Sequence, residues 1–370
     1  MKLTLLILLV GTVVLAGCTG QTPAPIEEQA SPVTASPLAT ASNEGEWTVY
    51  TISDPAAEAG ASIPDQWINE IAVAGNGTVW ASTREGLASF DGHSWRTLRD
   101  GSESLIAGNW GFDGIAAAPD GSLWLGLTRV LARFDGETWT IFARQDAAKH
   151  YIDKGFATAV VDLPAFDNMW ALAVGPNGIV WAATDAGLIR FDGQRWTVFR
   201  AGDGLISDHV VALAGAYDGS IWAGSDMGLS RFSGEQGVSY PKAGLFPTEG
   251  AGETSSLAIA TDGTVWTLSA DGAIMSFDGD QWLTPSPLEE ADSGLIFSLK
   301  IAPDDAVWVG TSTGLARLVG GKWTSFPIDE GLLPGQGDVN APGIVTLAIA
   351  QDGTIWCGTQ RGIASFRPPD

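Results

Sequence analysis

Short apolar runs alternate with polar, glycine-rich breaks along most of the chain, and each run is too short for a helix. Ile71-Ala72-Val73 leads into Gly75-Asn76-Gly77, where Gly and Asn supply the positive φ of a tight hairpin at low cost. Val79–Thr83, Leu87–Phe90 and Trp95–Leu98 follow, divided by Gly86 and by Asp91-Gly92. The pattern predicts four antiparallel strands in one repeat. Apolar spacing of three and four, the mark of helical repeats, is absent.

The four-run unit recurs. Tryptophan returns at Trp80, Trp124, Trp181, Trp222, Trp266, Trp308 and Trp356, in settings such as Gly77-Thr78-Val79-Trp80 and Gly353-Thr354-Ile355-Trp356. A glycine stands six residues later at Gly86, Gly187, Gly228, Gly272, Gly314 and Gly362, with Val130 the exception. An aromatic follows at Phe90, Phe134, Phe191, Phe232, Phe277 and Phe366, with Leu318 the exception. Nine residues before each tryptophan is Ile71, Ile115, Leu172, Leu213, Leu257, Leu299 or Leu347, and the next residue is alanine in every repeat but the sixth, which has Lys300. Alternating large and small residues suit wedge-shaped sheets that converge on an axis. That explains alanine in a strand, which propensity disfavours.

Repeats of this length with four strands each are the arithmetic of propeller blades. The seventh repeat ends at Phe366-Arg367-Pro368-Pro369-Asp370, before its outer strand, while Glu46-Trp47-Thr48-Val49-Tyr50 has the look of that missing strand. The expectation is an all-β, seven-bladed β-propeller of four-stranded antiparallel blades over residues 46–370, closed by the N-terminal strand completing the last blade. Closure removes the exposed edge that the last blade would otherwise present.

Ahead of the repeats, Met1-Lys2 and the apolar Leu3–Leu15 form a signal-peptide pattern over residues 1–17. Leu15-Ala16-Gly17-Cys18 resembles the lipobox of bacterial lipoproteins, which implies that Cys18 is lipidated and that the protein is exported and membrane-anchored, facing the periplasm or cell exterior. Two acyl chains suffice for stable anchoring. Residues 18–45 are rich in Pro, Ala, Ser and Thr, and are expected to be the lipidated Cys and a disordered tether. With Cys18 acylated, Cys357 is the one remaining thiol and no internal disulfide is expected. Against 43 acidic residues stand only 19 Lys and Arg, a formal charge of −24. Such a field disfavours nucleic acid, and contact with the membrane is expected through the lipid anchor only. A soluble monomer is the simplest reading of the acidity.

The repeats resemble the two-component regulator propeller family, whose motif runs as small-apolar-Trp-X-Gly-Thr-X-X-Gly-Leu-X-Arg-Phe. Here it reads Trp222-Ala223-Gly224-Ser225-Asp226-Met227-Gly228-Leu229-Ser230-Arg231-Phe232, and again from Trp308 to Leu318. The resemblance covers residues 46–370 and implies an extracytoplasmic sensor or scaffold role. Family members are usually the input regions of membrane sensor kinases. This sequence shows no transmembrane helix, kinase or DNA-binding segment, so direct phosphorelay is not expected. The motif residues build blades and name no ligand.

Candidate chemistry belongs to the connections entering each inner strand and the turns between second and third strands, since functional residues concentrate on such loops. The candidate ligand-binding face comprises Arg84, Trp110, Arg129, His150, Tyr151, Trp170, Asp208, His209, Lys300 and Arg361. The longest connection, 143–168, carries His150 and Tyr151 and is either a lid or a plain insertion. Trp110 and Trp170 either stack on a ligand or pack beneath loops. Lys300 either lines the central channel, meeting an anionic group, or pairs with a carboxylate between blades. His93, His150 and His209 occur singly, without metal-ligand spacing. Streptogramin-type lyases, which share this architecture, use paired histidines with a glutamate near magnesium, and that constellation is not found. No catalytic residue, metal or cofactor is expected. The leading reading is a recognition or sensor-type module for an unknown ligand or protein partner. A lyase or hydrolase using the axial pocket is the alternative, and a structural scaffold of a cell-envelope complex is the second.

Overall fold

The computed structural model describes residues 45–50, 63–98, 114–127, 129–143, 159–161, 163–246, 256–285, 288, 295–328 and 343–369. The leader, Cys18 and the segment up to residue 44 lie outside them. The described strands form seven sheets, one per tryptophan repeat. Blade 1 spans 68–98, blade 2 114–143, blade 3 169–199, blade 4 212–241, blade 5 257–283 and blade 6 296–327. Blade 7 joins 346–367 to Glu46–Tyr50. The inner strands touch one another in cyclic order, blade 7 meeting blade 1, so the ring is closed.

Closure runs as the sequence implies. Glu46 pairs with Arg367, Trp47 with Phe366 and Tyr50 with Ile363, antiparallel. The Trp47 and Phe366 rings lie 4.7 Å apart. Tyr50 is 8% exposed and sits among Phe90, Trp95 and Trp356. The first described strand therefore welds blade 7 to blade 1.

The core is cut into seven wedges, one at each blade interface. Each repeat tryptophan faces the following blade. Trp308, for example, meets Phe326 and then Phe366 of blade 7. Seven apolar seams share the stabilisation that a globular domain concentrates in one centre.

The motif residues are spent on turns. In five of the seven repeats a hydroxyl three residues after the tryptophan is buried at the turn between second and third strands: Thr83, Thr184, Ser225, Thr311 and Thr359. Thr184 Oγ1 donates to the Gly187 carbonyl at 2.7 Å and accepts from the Ala186 N–H at 3.1 Å. Ser225, Thr311 and Thr359 repeat the arrangement. The motif arginine ties the third strand to the first hairpin. Arg133 pairs with Asp120 at 2.8 Å, Arg317 with Asp304 at 2.6 Å, and Arg231 with Asp218. Asp120 and Asp218 are held below the usual carboxylate range, first by the hydroxyls of Ser122 and Ser220.

Two breaks in the repeat are compensated in place. Where Val130 replaces glycine, positive φ moves to Arg129, at 61°. Blade 6 has Asp305 where other repeats put glycine before the tryptophan, and it too adopts positive φ, 62°. Its carboxylate accepts from the backbone and hydroxyl of Thr261 in blade 5.

Blade 2 departs from four strands. Ala159–Val161 adds a fifth strand, parallel to the outer strand Trp139–Ala143. Residues Ala159–Val161 of the long connection thus lie at the outer edge of blade 2. His150, Tyr151 and Trp110 lie outside the described residues.

Candidate functional site

Strand direction defines two faces. The turns between second and third strands and the connections into each inner strand share one face, which carries the long loops. The first hairpins and the Asp-Gly turns occupy the other. Arg84, Arg129, Asp208, His209 and Arg361 stand on the loop-rich face.

Most of these side chains already have partners. The Arg84 guanidinium lies 3.5 Å from the centroid of the Trp67 ring, a cation–π stack at the mouth of blade 1. Arg129 pairs with Asp167 at 2.7 Å, both exposed, linking blade 2 to the connection into blade 3. Asp185 holds the same connection by accepting from the N–H groups of Asp167 and Asn168. Asp208 accepts from Ala201 N–H at 2.8 Å and lies 3.7 Å from Arg200, so it braces a short 3-10 turn. Arg361 is exposed, and its backbone N–H donates to Thr359 Oγ1.

Trp170 and His209 come together, edge to face at 5.8 Å, where blade 3 meets blade 4. Both are half-buried. Trp170 also packs against the apolar seam of blades 4 and 5, so most of it serves as core. Its indole N–H is enclosed with no acceptor among the described residues.

Lys300 is not on the rim. It stands on the inner strand Ile296–Ile301 opposite buried Trp308, yet it is exposed. Blade 1 contributes a residue that the sequence reading did not single out: Glu70, half-buried on the inner strand Ile68–Val73. Its Oε2 accepts the Ile115 N–H of blade 2 at 2.8 Å. Burial pushes the Glu70 carboxyl above its usual value, opposed by the charge of Lys300 and by the Ile115 hydrogen bond. The equivalent residues in the other repeats are Gly114, Ala171, Ala212, Ser256, Ser298 and Thr346, so comparison of that column would have exposed Glu70.

On the far face, a groove of about 1000 Å³ between blades 6 and 7 is bordered by Arg317, Lys322, Asp352 and Arg367. A second, of about 530 Å³, runs between blades 7 and 1 beside Glu46 and Asn76. Among the described residues, no three of His, Cys, Asp or Glu are grouped to hold a metal ion. Nor is any helix there long and apolar enough to cross a membrane. Cys357 is fully buried, and burial drives its thiol well above the usual range.

No family model and no curated protein matches the sequence. Solved structures do match. The extracellular domain of a protein named as a one component system from B. thetaiotaomicron aligns at TM-score 0.58 and 16% identity, over 86% of this chain and 39% of that one. A streptogramin B lyase aligns at TM-score 0.61 and 11% identity, over 88% of this chain and 98% of the enzyme. PorZ, a surface component of the type-IX secretion system of Porphyromonas gingivalis, aligns at 0.56 and 16% identity, over 85% and 48%. The likeness is one of fold. It agrees with the propeller resemblance drawn from the repeats. This chain spans about two-fifths of the sensor ectodomain, against nearly the whole of the lyase.

Proposed function

We propose that this chain is a lipid-anchored, extracytoplasmic recognition module of the sensor type, whose loop-rich face binds a ligand or partner without chemistry. The position of the closing strand carries the reading. Glu46 borders the groove formed with the first hairpin of blade 1, Gly75-Asn76-Gly77, so the chain arriving from Cys18 joins the propeller on the far face. Attachment there leaves the loop-rich face clear of the tether. The extracellular sensor domains of B. thetaiotaomicron and the surface protein PorZ are propellers outside the cytoplasm, in keeping with this placement. The lyase fold is shared too, but among the described residues no three of His, Cys, Asp or Glu are grouped to hold a metal ion.

Cys18→Ala should move the full chain from the membrane pellet to the soluble fraction, and its retention in the pellet would refute anchoring. Photo-crosslinkers placed in cells at exposed Met227, on the loop-rich face, and at exposed Tyr217, on the far face, test the orientation. Adducts from position 227 alone are expected. Equal adducts from both, or linearisation of a streptogramin B by the full chain, would overturn the proposal.

A further inference from the structure

We propose that the cavity between blades 7 and 1 on the far face is a seat for a guanidinium group, which takes the place of an arginine that blade 7 lacks. The site lies opposite the loop-rich face, across the ring from Tyr217 of blade 4, and does not depend on the reading above. Blades 2 and 4 show the seat filled. In blade 2, Arg133 Nη2 donates to Asp120 Oδ2 at 2.8 Å and its Nε donates to Ser122 Oγ at 3.1 Å, while that hydroxyl donates to Asp120 Oδ1 at 2.6 Å. Blade 4 repeats each contact with Arg231, Ser220 and Asp218. The guanidinium carbon also stands over the repeat tryptophan, 5.7 Å from the Trp222 centroid in blade 4 and 5.5 Å from that of Trp308 in blade 6. Blade 6 keeps Arg317 and Asp304 but has Ala306 in place of the hydroxyl, and its Arg317 Nε is enclosed with no acceptor among the described residues.

Blade 7 has every part but the arginine. Asp352, Thr354 and Trp356 occupy the positions of Asp120, Ser122 and Trp124. Thr354 N–H donates to Asp352 Oδ1 at 3.0 Å, as Ser122 N–H does to Asp120 Oδ1. In the ladder Trp124, Trp222 and Trp308 stand opposite Arg133, Arg231 and Arg317, whereas Trp356 stands opposite Ser365. Asp352, Thr354, Trp356 and Ser365 all line the cavity of about 530 Å³, so the space is open where the side chain would run. That volume falls within the range of small-ligand sites, roughly 300–1,000 Å³. Blade 5 makes the same exchange, with Asp262, Thr264, Trp266 and Ser276, but the described cavity lies over the blade 7 copy.

Charge at the mouth suits a cation. Asp352 is exposed, and its carboxyl is held below the usual range, first by the Thr354 N–H, so it is ionised at neutral pH. Arg367 also borders the cavity and lowers Asp352 more weakly, yet the two form no ion pair among the described salt bridges. With Glu46 on the rim, two carboxylates border the cavity against one guanidinium. Residues 18–45, which lead into Glu46, contain neither Lys nor Arg, so they cannot fill the seat themselves. Asp352 and the Thr354 hydroxyl together suit a planar fork that donates from two nitrogens. A lysine ammonium is a point charge and does not match that fork. The carboxylate is already fixed by its own turn, which lowers the ordering cost of binding.

The test is calorimetric titration of the full chain with agmatine, N-acetyl-arginine amide and N-acetyl-lysine amide. A guanidinium compound should bind saturably, and the lysine compound at least tenfold more weakly. Asp352→Asn should weaken guanidinium binding at least tenfold, while Asp262→Asn, the matching change in blade 5, should leave it unaltered. Ser365→Arg, which writes in the residue of blades 2, 4 and 6, should fill the seat from within and abolish binding. Asp352→Asn, at an exposed turn, reads the site even where the Ser365→Arg chain does not fold. A blocked pentapeptide with a central arginine separates the two sources of the group. Binding as tight as that of agmatine supports a partner's arginine side chain, and exclusion of the peptide while agmatine binds supports a small guanidino compound. No saturable binding, equal binding of the lysine compound, weakening by Asp262→Asn alone, or unchanged binding by Asp352→Asn or by folded Ser365→Arg would overturn the proposal.

Discussion

Tyr50 offers the sharpest measure of how the ring is locked. Its side chain is 8% exposed, with ring centroids 5.3 Å from Phe90, 5.9 Å from Trp95 and 5.5 Å from Trp356. Its hydroxyl bonds Ser365, on the strand it pairs with. Truncating a buried aromatic to alanine costs about 3–5 kcal/mol, because the lost ring leaves a cavity between three packed neighbours. Unfolding entropy near 60 °C is about 2.1 cal/mol/K per residue, so a ring of roughly 320 residues loses about 1.5 °C of Tm per kcal/mol. Tyr50→Ala should therefore lower Tm by about 4–8 °C. Tyr50→Phe keeps the ring and removes only the hydroxyl bond, worth about 1 kcal/mol, and should cost about 1–2 °C. Scanning calorimetry on the full chain reads both. A Tyr50→Ala shift of a degree or less, or equal shifts for both variants, would refute the claim that this strand welds blades 7 and 1.

Two further outcomes follow from buried polar groups. Glu70 titrates above its usual 4.5 in the fold, so the stability its protonated form contributes is full below that value and is lost as pH rises through the raised one. Glu70→Gln should thus melt above the native chain at pH 8 and level with it at pH 4, and a pH-independent offset would contradict this. Thr184→Val removes the acceptor of the Ala186 N–H in a turn where Thr184 is fully buried. Its denaturant midpoint should report a loss of about 1–3 kcal/mol, and an unchanged midpoint would show that the hydroxyl is not needed there.

The ring was legible in the sequence because each blade repeats the same physical problem. Trp80 and its six counterparts must fill a wedge, and Phe90 and its counterparts must meet it. The pairing of Trp47 with Phe366 followed from seeing one strand missing at one end and one spare at the other. Strand Ala159–Val161 left no such trace, since parallel pairing needs no hairpin signal and three residues carry little pattern. The Val130 exception hid a transfer of positive φ onto Arg129, which only backbone geometry reveals. Lys300 stood out because its column is otherwise alanine. Glu70 stands out equally in the column two residues earlier, but its bond to Ile115 depends on two blades meeting, which no single repeat encodes. The rim residues were legible as positions and not as contacts: Asp208, proposed as part of a binding face, is engaged in bracing a turn.

Closing the circle with Glu46–Tyr50 also sets an order of events. The ladder that seats this segment lies on Ile363–Arg367, the last strand described, so the earliest-made strand waits for the latest. Until then blade 7 has a bare flank and the Trp47 and Tyr50 rings have no slot. A chain stopped short of Phe366 would leave both halves of the clasp unpaired, and a neighbouring copy could supply the other half.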